Sequence, residues 1–184
     1  DDALLARMTA HGRRDVRRAV RNGIDVEVVD PADPTFAAEH HAQVRQAFAR
    51  RDQQPSFGVE RVEALLRHLG PTGDLLALRA RTPGGEVAAT GLFPGRAGGP
   101  AELWMAASDR THERLLPNEA LLWAAMREWR DRGAVRLELG GGRHKAKYGG
   151  VVRRRLWVRC SRLAALETAR DLARRVQRRR QRRA

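Results

Sequence analysis

The hydrophobic period of the chain changes several times along its length, and the order of the changes allows few architectures. Apolar residues at near-helical spacing predict a helix over residues 3–20, and alternation predicts a strand over residues 24–29. Two helices, over residues 36–50 and 59–69, come before the period changes again. Thr35 is expected to cap the first of these two helices.

Three consecutive strands are predicted next, over residues 75–80, 86–93 and 102–107. The sequence Thr82-Pro83-Gly84-Gly85 between the first two is typical of a hairpin turn. Residues 117–130 then show the one-sided apolar spacing of an amphipathic helix.

The remaining segments are a strand over residues 135–139 that ends in three glycines, a strand over residues 151–158 and a basic helix over residues 162–180. This order predicts an α/β (α+β) fold, with a mostly antiparallel, twisted sheet flanked by helices. We expect one domain over residues 1–161, followed by a basic C-terminal helix and tail over residues 162–184.

Composition narrows the class of protein. The apolar runs are short and interrupted by charge, so no transmembrane segment is expected. The single cysteine, Cys160, excludes an internal disulfide and fits a cytoplasmic protein. The net charge of +14 predicts polyanionic partners such as nucleic acid, nucleotide phosphates or an acidic membrane surface, although coding bias toward arginine is an alternative origin.

Lysine is confined to one segment of the chain. Of 36 lysines and arginines only two are lysines, Lys145 and Lys147, and the only tyrosine, Tyr148, follows them. Lysine is a compact amine whose pKa shifts when it is desolvated, whereas arginine stays charged. Either lysine chemistry is needed in this glycine-rich segment, or the clustering is chance in an arginine-biased chain.

Residues 108–119, just before the predicted helix, lack a feature that phosphate binding would need. They contain no glycine, and they carry acidic side chains at Asp109, Glu113 and Glu119. A pyrophosphate is bound at a helix N-terminus by backbone amides that it can approach closely. The segment therefore argues against an ordinary acetyl-CoA site.

Several motifs occur in an order that resembles one family. Leu137-Glu138-Leu139-Gly140-Gly141-Gly142 is followed by His144-Lys145-Ala146-Lys147-Tyr148-Gly149. The element order is that of the GNAT acyltransferase fold, and these motifs resemble the C-terminal GNAT-like domain of Fem-type (FemABX) aminoacyl-tRNA-dependent transferases and their CelD-like relatives. Those proteins place a strand ending in Asp-x-Gly-Gly before an aromatic-Lys-x-x-aromatic-Gly motif, and His144 stands at the first aromatic position.

The resemblance implies an activity and partners. It implies transfer of an amino acid from aminoacyl-tRNA, as co-substrate and without a further cofactor, to an amine acceptor such as a peptidoglycan precursor or a secondary metabolite. Fem-type proteins usually contain two GNAT-like domains. Either an N-terminal partner domain lies outside this sequence, or this is a single-domain relative.

The resemblance also assigns roles to residues. Lys145 matches the motif lysine and is expected to stabilise the oxyanion that forms on the ester carbonyl. Tyr148 stacks on the terminal adenine or orients the ester, or else is a core aromatic. His144 is a candidate general base. Expected substrate-binding residues are Gly140, Gly141, Glu138, Trp104, Asn118 and Arg143.

A second group of residues is expected to contact tRNA phosphates. It consists of Lys147, Arg153, Arg154 and Arg155. The histidines lack metal-ligand spacing, so no metal site is expected. Two other functions stay open: an acyl-CoA-dependent N-acyltransferase on the same fold, and a non-catalytic RNA-binding module.

Overall fold

The computed structural model describes residues 1–153 together with Ala169 and Leu172. Asp1–Val151 forms one compact unit; the second unit, Val152–Ala184, lies almost wholly outside the described residues. The predicted strand over residues 151–158 and most of the predicted helix over residues 162–180 therefore cannot be compared with it. Within the described part, the α-helices are α1 (Asp2–Arg7), α2 (Ala10–Arg21), α3 (Phe36–Ala49), α4 (Val59–Leu69) and α5 (Pro117–Asp131).

The strands form two separate sheets. They are β1 (Asp25–Val28), β2 (Leu75–Arg81), β3 (Val87–Pro94), β4 (Pro100–Glu102), β5 (Met105–Ser108) and β6 (Arg136–Glu138). An antiparallel sheet has the order β1-β2-β3-β5, whereas β4 and β6 form a parallel pair. The predicted mixed fold with a mostly antiparallel sheet is confirmed.

Helices cover both faces of the larger sheet, so β2 is buried at every residue except the last, Arg81. Alternate residues of β2 belong to different hydrophobic clusters, because successive side chains of a strand point to opposite faces. Leu76 and Leu78 lie in a cluster with residues of α2 and α5. Leu75 and Ala77 lie in a second cluster with residues of α3 and α4.

The predicted third strand, over residues 102–107, is divided between the two sheets. The amide of Leu103 still donates to the carbonyl of Glu138 in β6, at 2.8 Å. The amide of the next residue, Trp104, donates to Leu92 in β3, at 3.1 Å. The chain therefore changes partner within one residue, and the sheet splits between β5 and β6. The apolar pattern continues through the change, which is why it reads as one strand.

The predicted first helix is also divided. Met8 is extended, with φ −76° and ψ 154°, and α2 begins anew after Thr9, whose side chain accepts from the Gly12 amide at 3.1 Å. Thr35 is the N-cap residue of α3 as expected, but its side chain makes no capping bond. Asp33 takes that role: its carboxylate accepts from the amides of Thr35 and Phe36, and hydrogen bonds from Thr35 lower the pKa of Asp33 to about 2.

A buried arginine fastens the segment before α3 to the sheet. Arg79 in β2 is 4% exposed, and its guanidinium forms ion pairs of 2.8 to 3.0 Å with Glu27, Asp33 and Glu39. A guanidinium is the cation best suited to such burial, because its five donors can serve several carboxylates at once.

Candidate active site

The chain turns sharply after β6. Gly140 and Gly142 have φ values of +70° and +120°, which side chains disfavour, and a short 3₁₀ helix, Arg143–Tyr148, follows. Gly149 closes this helix at φ +75°. The glycines are thus needed for the turn itself. The segment Gly140–Gly149, called the motif loop below, starts beside the split in the sheet.

Lys145 folds back onto the end of β6. Its ammonium donates a hydrogen bond to the carbonyl of Leu139, the residue after the strand. The side chain is half-buried and forms no ion pair with the described residues. Desolvation by burial lowers the pKa of Lys145. An ammonium has three N–H donors, so two remain for another acceptor.

Lys147 lies in a different environment. Its ammonium bridges Asp15 of α2 at 2.8 Å and Glu119 of α5 at 2.9 Å. Burial alone would lower the pKa of Lys147, but the hydrogen bonds and charges of the two carboxylates raise it. Their side chains are 13% and 17% exposed, so this is an internal ion cluster, called the Lys147 cluster below. The predicted phosphate contact loses its physical basis, because two carboxylates already neutralise the ammonium.

The start of the chain holds the motif loop in place. The amide and hydroxyl of Thr9 both donate to the Lys147 carbonyl, at 3.0 and 3.3 Å. A Cβ placed on Gly12 would overlap that carbonyl oxygen, and one on Gly149 would overlap the carbonyl of Arg7. The break between α1 and α2 therefore forms the seat of the loop.

Tyr148 belongs to the core. It is 7% exposed and packs in the cluster formed with α2 and α5. Burial raises the pKa of its hydroxyl, and the Lys147 ammonium lies 5.4 Å from the ring centroid. This burial favours the core interpretation over stacking on an adenine, which needs an exposed ring face.

The structure leaves His144 and Arg143 exposed on the outer side of the 3₁₀ helix, where His144 lies close to Gly142. Gly141 is exposed and has open space around it. A ligand could reach all three without rearrangement of the core. Arg153 is exposed as well, whereas Arg154 and Arg155 lie outside the described residues.

The remaining candidates lie along the split. The Glu138 carboxylate accepts a hydrogen bond from Arg136 at 2.9 Å. The half-buried Trp104 ring packs against Phe57, with centroids 4.8 Å apart. Asn118 donates to the Ser108 hydroxyl at 2.7 Å, which links the first turn of α5 to the end of β5.

The approach to α5 has no phosphate cradle. Residues Arg110–Leu115 form a 3₁₀ helix, and Leu116 then adopts a left-handed conformation at φ +61°. The carbonyl of Leu116 already accepts from the amides of Glu119 and Ala120, at 3.1 and 3.2 Å. The Glu119 carboxylate in this first turn belongs to the Lys147 cluster, whose two carboxylates outnumber its one ammonium, so a further anion would meet net negative charge.

No group of three or more metal-binding side chains is found in the described residues, and no helix there could cross a membrane. His40 is a core residue. Since the Thr90 hydroxyl donates to Gln43 at 2.8 Å, His40 Nδ1 is the donor to Thr90, at 2.9 Å. Burial lowers the pKa of His40 to about 4, so its ring is neutral at physiological pH.

Fold, split sheet and motif loop together define an acyltransferase-type domain. The chain belongs to the acetyltransferase (GNAT) domain family, whose model matches residues 10–148. The resemblance to Fem-type transferases is confirmed in fold: the structure of FemX superposes with a TM-score of 0.65 at 15% identity, covering 77% of this chain and 50% of FemX. This chain therefore spans about half the length of FemX.

Acetyltransferase structures of about this domain's size are similar too. A ribosomal-protein-alanine N-acetyltransferase from Brucella melitensis biovar Abortus 2308 has a TM-score of 0.52 at 16% identity, covering 77% of this chain and 99% of that one. An aminoglycoside acetyltransferase from an uncultured soil metagenomic sample, in complex with trehalose, gives 0.59 at 10%, with 78% and 99% covered. At these identities the likeness shows the fold alone. No curated protein matches the chain significantly in sequence.

Sequence reasoning missed Asp15 and Glu119 as partners of Lys147. A signal was available for Asp15, since it is the only acidic residue among the arginines of α2 and directly precedes the buried Val16. A carboxylate beside a buried position needs a cation, and lysine is scarce in this chain. Glu119 was noticed only as an obstacle to pyrophosphate.

Proposed function

We propose that this domain catalyses acyl transfer from aminoacyl-tRNA to an amine, forming an amide bond. The observation that carries the proposal is the position of Lys145: a partly desolvated ammonium, held by one carbonyl and by no carboxylate of the described residues, beside the split in the sheet. Such a cation can donate to an oxyanion, and low solvation strengthens that interaction.

The chemistry follows from the bonds exchanged. The acceptor amine attacks the ester carbonyl of the aminoacyl group, and the carbonyl oxygen becomes an oxyanion that Lys145 stabilises. Collapse of this intermediate breaks the ester bond and releases the ribose hydroxyl of the tRNA. The amine loses one proton and the leaving oxygen gains one. His144 is exposed next to Lys145 and is a candidate to carry that proton.

The N-terminus of α5 supports tRNA rather than acyl-CoA as the donor. Glu119 occupies the first turn, and the Leu116 carbonyl has already engaged two amides there. A pyrophosphate would meet a carboxylate where it needs free amides. An aminoacyl ester on tRNA carries no pyrophosphate, so the same arrangement does not disfavour it.

The acceptor is proposed to be a peptidoglycan precursor or a small amine of secondary metabolism, as the resemblance to Fem-type enzymes implies. Use of the tRNA pool implies a cytoplasmic enzyme. Because this chain spans half of FemX, a partner domain is a further element of the proposal.

The test is transfer of a labelled amino acid from charged tRNA to a panel of amines, with the amide product identified by mass. Uncharged tRNA plus the free amino acid is the control, because it lacks the activated ester. Product formed only from charged tRNA supports the proposal. Saturable transfer from acetyl-CoA, with none from any charged tRNA, would exclude it.

The acyl-CoA-dependent N-acyltransferase is a second candidate, favoured by the family to which the domain belongs and by the acetyltransferases that share its fold. It predicts a rise in melting temperature with acetyl-CoA. A non-catalytic RNA-binding module instead predicts equal affinity for charged and uncharged tRNA without transfer to any amine.

A further inference from the structure

The outer face of α2 is lined by arginines. Arg14, Arg17, Arg18 and Arg21 follow the i, i+3, i+4, i+7 spacing that places residues on one face of a helix. All four are exposed. The buried residues of α2, namely Gly12, Val16 and Ala19, lie on the opposite face, against the core.

The charge of this face is not neutralised within the described chain. Arg14 contacts His11 Nδ1 at 2.6 Å, and no described carboxylate pairs with Arg17, Arg18 or Arg21. Asp15, the one acidic residue of α2, is turned toward Lys147. Four adjacent cations repel one another unless an anion lies between them, so the arrangement suits a polyanion.

The face continues onto the next element. Asn22, which caps the end of α2, donates to the carbonyls of Leu115 and Arg114 at 3.1 and 3.4 Å. This contact places the exposed Arg114 beside that end of the helix. From Arg14 to Arg21 the helix rises by about 10 Å. The row of charge therefore extends over more than one phosphate.

We propose that this surface, the arginine face (Arg14, Arg17, Arg18, Arg21 and Arg114), binds the sugar-phosphate backbone of a base-paired RNA stem; the choice of RNA rests on the proposed function. No aromatic side chain lies among these residues, so bases of a single strand would find no aromatic ring to stack on. The apolar residues of α2 other than Ala10 and Val20 are buried, so little remains to insert into a membrane.

The position of the face links it to the motif loop. Asp15, in the same helix, binds Lys147, and Thr9, just before the helix, binds the Lys147 carbonyl. A stem lying along α2 has its phosphates on the helix that holds the loop carrying Lys145. The single-stranded 3′ end beyond the stem is then within reach of that loop.

The experiment measures the affinity of the full chain for an RNA hairpin that has a short 3′ overhang and no attached amino acid. The affinity is measured as a function of salt concentration. Replacing Arg14, Arg17, Arg18 and Arg21 with Gln is expected to weaken binding at least ~10-fold and to lower the salt slope by about one per arginine. The matched control changes four exposed arginines elsewhere, Arg45, Arg51, Arg61 and Arg67, to Gln. It removes the same charge and is expected to keep the wild-type slope within about one.

Further results test the proposal. Replacing the same four arginines of α2 with Lys keeps the charge and is expected to restore binding to within ~3-fold of wild type. Equal losses in the face variant and the matched control overturn the proposal, as does a Lys version that binds as weakly as the Gln version. Tighter binding to a single strand of equal length, or binding to phosphatidylserine vesicles but to no RNA, overturns it too.

The hairpin carries no amino acid, so this assay does not depend on catalysis. Retained hairpin binding with no transfer from charged tRNA would contradict the proposed function but still support the arginine face as an RNA-binding surface. Transfer that persists in the face variant with an unchanged KM for tRNA would contradict the RNA-binding role of the arginine face but still support the proposed function.

Discussion

Lys145 and Lys147 are two residues apart in one 3₁₀ helix, yet their surroundings shift the pKa values of their ammonium groups in opposite directions. Lys145 meets one carbonyl, and desolvation lowers its pKa. Lys147 meets two carboxylates, which raise its pKa against the effect of burial. The two ammonium groups therefore differ in the property that matters for chemistry, namely whether their charge has already been neutralised.

The difference teaches that a sequence motif can combine a reactive group with the group that supports it. Lys147 joins the loop to α2 and α5, whereas Lys145 contacts the Leu139 carbonyl at the end of β6 and has no partner of opposite charge among the described residues. A single helical turn thus contains both a structural and a candidate catalytic lysine. Substitutions that separate stability from turnover test this division.

The largest effect is expected on turnover. Lys145→Met should lower kcat by about 10²–10³-fold, or ~3–4 kcal/mol of barrier, because the oxyanion loses a donor. Its free energy of unfolding should change by less than about 1 kcal/mol, since no ion pair is broken. Steady-state transfer kinetics and urea unfolding measure the two quantities, with the exposed Arg61→Met as the matched loss of a cation. Full activity in folded Lys145→Met would remove the catalytic assignment.

Lys147→Met should show the reverse pattern. It leaves Asp15 and Glu119 facing each other in a poorly solvated site, and should lower the free energy of unfolding by about 3 kcal/mol. Adding Asp15→Asn and Glu119→Gln removes the unpaired charges and should recover at least half of that loss. Chemical denaturation of the three proteins measures it. If the triple variant is no more stable than the single one, packing rather than charge explains the loss.

A smaller effect is expected where α2 meets the loop. Gly12→Ala forces the Lys147 carbonyl to move, and should destabilise the fold by about 1–2 kcal/mol although alanine is the better helix former. Gly141→Ala, in the open part of the same loop, should cost no more than about 0.5 kcal/mol. Thermal unfolding distinguishes them, and equal effects would contradict the close packing of loop and helix.

The smallest effect is a difference in sign at alkaline pH. Lys147 has a raised pKa, so its stabilisation is present below the unfolded pKa and is lost as pH rises through the folded pKa. Lys145 has a lowered pKa, so between the folded and unfolded values the unfolded chain binds more protons and stability rises with pH. Unfolding free energies of Lys147→Met and Lys145→Met, measured against wild type from pH 8 to 11, should therefore diverge in opposite directions. Parallel curves would show that the two environments are alike.

Most elements of the fold could be predicted from the period of the apolar residues. The helix over residues 59–69 and the hairpin at Thr82–Gly85 follow from local signals that the tertiary structure does not override. The division of residues 102–107 could not be predicted, because it depends on which distant strands, β3 and β6, lie beside each residue. The break at Met8 likewise depends on the loop seated there, since its apolar spacing alone continues a helix.

The scarcity of lysine and the resemblance located the candidate site, but they did not predict the side-chain contacts within it. Nothing local to Lys147 indicates that Asp15, 132 residues away in sequence, is its partner. Arg79 presents the same difficulty, because its three carboxylates come from separate elements. Contacts between side chains far apart in sequence follow from topology, which the element order gives only in outline.

The hydrogen bond between Thr9 and the Lys147 carbonyl spans 138 residues of sequence, and this separation affects how the domain folds during synthesis. Contacts of such separation form late, since the entropy of closing the intervening chain must be met first. During synthesis α1 and α2 leave the ribosome long before the motif loop, so their contacts with the loop cannot form until the loop has been made. We therefore expect the segment that carries Lys145, the candidate catalytic lysine, to be among the last parts of this domain to reach its folded position.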